Sequence, residues 1–315
     1  MTKSNISRGI QNRKQYILYR KVCIMLWISA LVAFIALLIG SITDFQKREV
    51  HDYVSYSLIF AGFGISIIYS ILTGTFYILQ TVMGFGIGVG LAYAMFYLGQ
   101  WGGGDSKLLM GLGAVFGFNI FNIYSIFGEK NLLFMLFLIN VIIAGAVYGL
   151  LFSVYLAIKH RKQFIKNIKV WADKKEIKLA RIILLTFTVV SALIIIFLIP
   201  QEYKLVFLSI VALLFFIFYI WLFVKIIEES CMIKSIPVSK LTEGDWIYED
   251  VYIGKKYITG PKDLGISKKQ INLLKNNKKI KTVLIKEGIP FIPAFLIAFI
   301  LTIVMYYLRI PAILF

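Results

Sequence analysis

Eight mostly apolar stretches, at about 22–43, 53–73, 75–99, 105–120, 131–158, 182–199, 205–227 and 289–309, decide what this chain can become. A helix crossing a bilayer needs roughly 20 such residues, because the hydrocarbon core is about 30 Å thick. Lipid offers no partner to an unpaired N–H or C=O, so a chain that enters it repeatedly must do so as helices or as a closed barrel. Runs of this length select helices. The expected fold is an α-helical polytopic membrane protein with about eight transmembrane helices. Composition agrees: 59% of residues are hydrophobic, 16% are charged and the mean hydropathy is +0.82, outside the usual range of soluble domains. The first run is too long for a removed signal peptide and lacks a small-residue cleavage site after it, so it reads as a retained span.

Two hydrophilic stretches interrupt the pattern and divide the chain. The expected parts are a basic N-terminal tail (1–21), a membrane core of spans one to five (22–158), a basic cytoplasmic loop (159–181), spans six and seven (182–227), a small soluble α+β unit (228–288), and the last span with the C-terminus (289–315). In the soluble unit, "DWIYEDVYI" is rich in β-branched and aromatic residues and predicts a strand, as does "KTVLIK". Ser267 and Gln270 have the spacing of a capping box ahead of "INLLKNN". In the third run Gly84, Gly86, Gly88 and Gly90 make two GxxxG spacings, the pattern of closely packed helices.

Charge orients the spans. The chain has 34 Lys and Arg and a net charge of +18. The segments following spans one, three, five and seven share one side and, counting Lys107 and Lys225 at the span edges, hold 25 of the 34. Positive-inside counting places that side in the cytoplasm. The basic excess is thus explained by topology and by anionic lipid, with no nucleic-acid partner required. Six of the other nine lie in the N-terminal tail (Lys3, Arg8, Arg13, Lys14, Arg20, Lys21) and pull the opposite way, so the side of the tail stays open. Cys23 and Cys231 form no CxxC pair, and His51 and His160 are far apart, so neither a disulfide framework nor a metal site is expected.

Two carboxylates stand out against this background. Asp105 follows three glycines in "GQWGGGDSKLL", and Asp44 closes the first run in "GSITDFQKREVHD". Two spans separate them, so both emerge on one face, the one predicted to be cytoplasmic. Taken alone, Asp44 reads as an interfacial residue beside Lys47 and Arg48, and Asp105 as a helix N-cap. A cap needs one residue, whereas Gly102, Gly103 and Gly104 remove three side chains and permit close approach of another backbone. Two carboxylates that meet cannot both stay charged, and the pair shares a proton. The ionised member can activate water while the protonated one donates to a carbonyl oxygen, which is the chemistry of aspartic proteolysis. A helix start favours charge on Asp105, so Asp105 is expected to be base-like and Asp44 acid-like.

At these residues the chain resembles the type IV prepilin peptidases, most closely the archaeal preflagellin and prepilin peptidases. "GGGDSKLL" matches their GxGD motif, "GLGAVFG" extends it, and "DFQKREVHD" is similar to their first catalytic region. The polar unit followed by a last span, with "EGIPFIPAF" at the junction, is also similar. The resemblance implies a membrane-embedded aspartic endopeptidase of the plasma membrane with no metal or other cofactor. Its substrates would be pilin-like or archaellin-like precursors, cleaved at the cytoplasmic face to remove a short basic leader. Asp44 and Asp105 carry over as the catalytic pair and Gly102 and Gly104 as motif glycines, with Lys107 as a contributor or a snorkelling lysine. Glu49 and Asp52 are candidates to meet the basic leader; Asp52 also reads as the cap of span two. Many bacterial relatives have a cysteine tetrad and methylate the new N-terminus. This chain has no tetrad, which implies peptidase activity without methyl transfer.

Three other classes compete. Glycine-broken helices and carboxylates near spans also mark proton- or ion-coupled transporters, but both aspartates lie at one face and no repeated half is visible. Presenilin-like GxGD proteases carry a Pro-Ala-Leu motif, of which Pro293–Phe295 is a partial echo. A non-enzymatic assembly subunit would make the GxGD pair accidental.

Overall fold

The computed structural model of the chain describes residues 3–119, 129–277 and 280–308. In chain order its α-helices are α1 (Lys3–Lys47), α2 (Asp52–Thr73), α3 (Tyr77–Tyr97), α4 (Gly103–Phe116), α5 (Glu129–Lys159), α6 (Arg161–Asp173), α7 (Lys175–Leu198), α8 (Gln201–Ile227), α9 (Lys268–Asn276) and α10 (Ile292–Tyr307). The strands are β1 (Ile233–Pro237), β2 (Trp246–Ile247), β3 (Val251–Ile253), β4 (Lys256–Thr259) and β5 (Thr282–Lys286). Among the described residues, six helices are long and apolar enough to cross a membrane, within α1, α2, α3, α5, α7 and α8. The other two expected spans are the 14-residue α4 and the 16-residue α10. Glycine bounds α4 at both ends, with Gly102 at its N-cap and Gly117 turning away at φ 65°. The end of the fourth expected span at residue 120, and the C-terminus after Leu308, lie outside the described residues. The chain is a multi-pass membrane protein with a small α+β part.

The chain divides into two compact units, Met1–Gly149 with Ile289–Phe315, and Leu150–Gly288. In the first, close backbone approach replaces the hydrophobic drive that lipid removes. Helices α3 and α4 run antiparallel with almost nothing between them: a Cβ on Gly84 would lie 2.3 Å from the carbonyl oxygen of Gly113, and one on Gly88 3.1 Å from that of Leu109. Gly86 and Gly90 face open space, so only one of the two GxxxG spacings packs. Gly62 faces Ala114 and Gly111 faces Leu58, which lays α2 alongside α4 in the parallel sense. Leu37, Leu58, Leu108, Leu109, Leu112, Phe134, Phe137, Ile292 and Phe295 are fully buried among them. Buried amides are paired: Asn131 both accepts from the Asn119 N–H (2.6 Å) and donates to its carbonyl (3.1 Å).

In the second unit, the basic stretch read as a loop is largely helical, as α6. Its apolar residues recur at Phe164, Ile168 and Trp171, the period of an amphipathic helix. Phe164 and Trp171 pack with Leu222 and Ile226 of α8. The Trp171 indole donates to Glu229 Oε2 at 2.7 Å, and Lys174 Nζ lies 3.6 Å from its ring centre. The polar part carries a three-stranded antiparallel sheet in the order β1-β5-β2 and a β3–β4 hairpin. "DWIYEDVYI" is therefore two strands, because β2 pairs with β5 and β3 with β4. "KTVLIK" contains β5, and the capping box forms as expected: the Ser267 N–H donates to Gln270 Oε1 at 2.8 Å, and Ser267 Oγ accepts from the Gln270 N–H. Val238, Leu241, Ile247, Ile258, Ile266, Ile271, Leu274, Val283 and Ile285 make its core.

Candidate active site

Asp44 lies in the last turn of α1. The helix closes one residue past Lys47, where the Arg48 N–H donates to the Asp44 carbonyl at 2.9 Å and Arg48 takes the left-handed conformation at φ 59°. That conformation usually belongs to glycine and costs about 1–2 kcal/mol for another residue. The Asp44 side chain is only 6% exposed. A carboxylate buried at the carbonyl end of a helix sits against the negative end of the helix dipole and needs a donor from elsewhere. It finds one at the start of α10: the Ile292 N–H donates to Asp44 Oδ2 at 3.0 Å, and the Phe291 N–H faces the same carboxylate. The positive charge of Arg48 acts on the same carboxylate.

Asp105 occupies the third position of α4, at the positive end of that helix. The expected cap is thus a glycine, Gly102, and the Asp105 carboxylate reaches back to it, with Oδ2 accepting from the Gly102 N–H at 3.1 Å. The two carboxylates lie within electrostatic reach of each other. Neighbouring contacts explain why. Gly40, one turn before Asp44, faces Leu108, one turn after Asp105, and also Ile292. The end of α1 and the starts of α2, α4 and α10 thereby meet at one end of the unit. Each carboxylate accepts a backbone N–H at Oδ2, Asp44 from Ile292 and Asp105 from Gly102.

The three glycines do different jobs. A Cβ on Gly104 would lie 2.9 Å from Val50 Cβ and 3.3 Å from Val50 N, so the segment after Asp44 packs onto the Gly104 backbone. Gly103 faces open space, and a Cβ on Gly102 would sit 3.6 Å from Asp105 Oδ2. The space at Gly104 is taken by the chain itself. Gly104→Ala is therefore expected to lower stability by about 1–3 kcal/mol, measured as thermal unfolding in detergent, with partial recovery on adding Val50→Gly. Equal stability of Gly104→Ala and the parent would contradict this packing.

Lys107 Nζ pairs with Asp52 Oδ1 at 2.5 Å and lies 5.7 Å from the Tyr56 ring centre. Asp52 is the first residue of α2, after His51 at the N-cap. Glu49 is exposed. Because the Lys107–Asp52 pair is well exposed, Lys107→Met is expected to change stability by less than ~1 kcal/mol; a larger loss in thermal unfolding would mean that the pair holds α2 to α4. Sequence reading missed three contributors. Tyr148 of α5 lies in the field of both Asp44 and Arg48. Trp101 is buried, with its ring centre 5.7 Å from that of Phe291 and 5.3 Å from that of Phe295. The third is the Ile292 backbone. Trp101 adjoins the glycines, and Ile292 lies in the proline-flanked "EGIPFIPAF", but a backbone donor has no residue signature. Among the described residues no cluster of three or more His, Cys, Asp or Glu offers a metal site.

Residues 31–150 match the Type IV leader peptidase family. The match contains Asp44, Asp105 and all of α2, α3 and α4, and ends before α10. The preflagellin peptidase of Methanocaldococcus jannaschii is 42% identical over 89 residues, 28% of this chain and 38% of that protein. That of Methanococcus voltae is 38% identical over 95 residues, 30% and 40% of the two chains. That of Methanococcus maripaludis is 41% identical over 91 residues, 28% and 38%. The chain thus spans about two-fifths of the length of these leader-peptidase relatives. No solved structure matches the chain at a significant level.

Proposed function

We propose that the chain is a membrane-embedded aspartic endopeptidase that removes a short basic leader from pilin-like or archaellin-like precursors at the cytoplasmic face. The observation that supports this reading is that Asp44 and Asp105 lie within electrostatic reach of each other at one end of a helix bundle, within the stretch that matches leader peptidases. The reaction requires the pair to hold one proton. The ionised carboxylate takes a proton from water as its oxygen attacks the scissile carbonyl carbon, and the other donates its proton to the carbonyl oxygen. Collapse of the tetrahedral intermediate breaks the C–N bond, and the amine leaves with a proton from the pair. Lysine-rich segments on the Asp44 side fit a cytoplasmic site.

The test is co-expression with a precursor whose basic leader precedes an apolar helix, following its mobility on a gel. A shortened product that depends on both carboxylates is expected. A transporter or an assembly subunit yields none.

A further inference from the structure

We propose that α10, outside the stretch that matches leader peptidases, is part of the active site, and that the Ile292 N–H is a positioning donor for Asp44. This rests on the peptidase reading above. Three observations carry it. First, the contact is between a buried carboxylate and a backbone N–H, Ile292 N to Asp44 Oδ2 at 3.0 Å. Second, the segment that presents this N–H is fixed on all sides. Ile292 and Phe295 are fully buried, the Ile292 side chain touches Gly40, Phe291 lies against Gly145 of α5, and Trp101 packs on both Phe291 and Phe295. Trp101 stands directly before Gly102, the N-cap of α4, so one aromatic cluster joins the donor's segment to the start of the helix that carries Asp105. Third, Pro293 follows Ile292 in the first turn of α10. Proline there is preorganised for a helix start, and it has no N–H, so the donors at this helix end are concentrated on Phe291 and Ile292.

The arrangement mirrors the one at Asp105, whose Oδ2 is held by the Gly102 N–H. Two helix starts thus hold one oxygen of each carboxylate. A side chain tied at one oxygen can no longer rotate freely about its last bond, and its second oxygen is aimed. The Ile292 N–H would thereby select which edge of Asp44 meets Asp105 and the peptide.

The experiment replaces residue 292 by the α-hydroxy acid of isoleucine, which exchanges this N–H for an ester oxygen and keeps the side chain. Ile292→Pro removes the donor together with the side chain, and Ile292→Ala removes the side chain alone. For precursor cleavage, the ester is expected to lower kcat about tenfold or more with KM within about twofold, the size of a lost charge-assisted hydrogen bond. Ile292→Val is expected to keep kcat within about twofold, and Ile292→Ala to exceed Ile292→Pro. Thermal unfolding in an Asp44→Ala background gives an independent readout. The ester should lower Tm by about 2–4 °C when Asp44 is present and by clearly less when it is not. An ester variant with parental kcat, or an equal Tm loss in both backgrounds, overturns the proposal. If the parent chain cleaves no precursor, it is the peptidase reading that fails, and the Tm cycle still decides whether Ile292 holds Asp44.

Discussion

Asp44→Asn and Asp105→Asn each bring precursor cleavage down by about 10³-fold or more, the loss expected when one member of an acid–base pair goes. Asparagine is the right replacement. Its side-chain oxygen still accepts from the Ile292 or Gly102 N–H, so the helix ends that converge on the site keep their hydrogen bonds. Thermal unfolding should therefore stay close to that of the parent. The double variant should be barely slower than either single one, because a pair that shares one proton acts as a unit and its parts are not additive. The measurement is the initial rate of precursor shortening, with membrane abundance as a control. A single variant that processes at the parental rate would remove that aspartate from the mechanism.

Gly113→Ala and Gly84→Val should prevent stable folding, at a cost above about 4 kcal/mol, the range reserved for severe core damage. The reason is backbone against backbone. A Cβ at Gly113 would lie 2.4 Å from the Gly84 carbonyl oxygen, and one at Gly84 2.6 Å from the Gly117 Cα. No rotamer relieves such a clash, so α3 and α4 must separate, and α4 carries Asp105. Gly86→Ala and Gly90→Ala lie two and six residues after Gly84 on α3 and meet nothing within 4 Å. They are expected to be neutral or slightly stabilising through helix propensity. Folded yield and unfolding temperature in detergent separate the two sets. Tolerance of Gly113→Ala would show that the helices pack less tightly than described.

Gly84, Gly86, Gly88 and Gly90 mark how far the sequence can be read. Their spacing announces a close helix contact, but the sequence cannot say which pair faces the partner, because both GxxxG spacings obey the same rule. The apolar runs announce their helices because length and hydropathy are local properties. Ser267 and Gln270 announce a helix start for the same reason: the cap is built from residues three apart. "DWIYEDVYI" hides its division because its halves join different sheets, and sheet partners lie elsewhere in the chain. Helix α6 was legible in the period of Phe164, Ile168 and Trp171, beneath its lysines. At the site, Asp44 and Asp105 could be placed on one face by counting spans. The contacts of Gly104 with Val50 and of Ile292 with Asp44 could not, since one depends on a missing side chain and the other on a backbone atom.

The hydrogen bond between Asp44 and Ile292 joins positions 248 residues apart. The whole of Leu150–Gly288 is synthesised between them. A ribosome making this chain completes the first five helices long before α10 exists, and the Asp44 environment is finished only when α10 arrives. Assembly of this end of the bundle is therefore a late event in biogenesis. Contacts of such long sequence separation form slowly, because a large loop must close first. A half-made chain holding both aspartates would sit in the membrane without the donor that holds Asp44 in place.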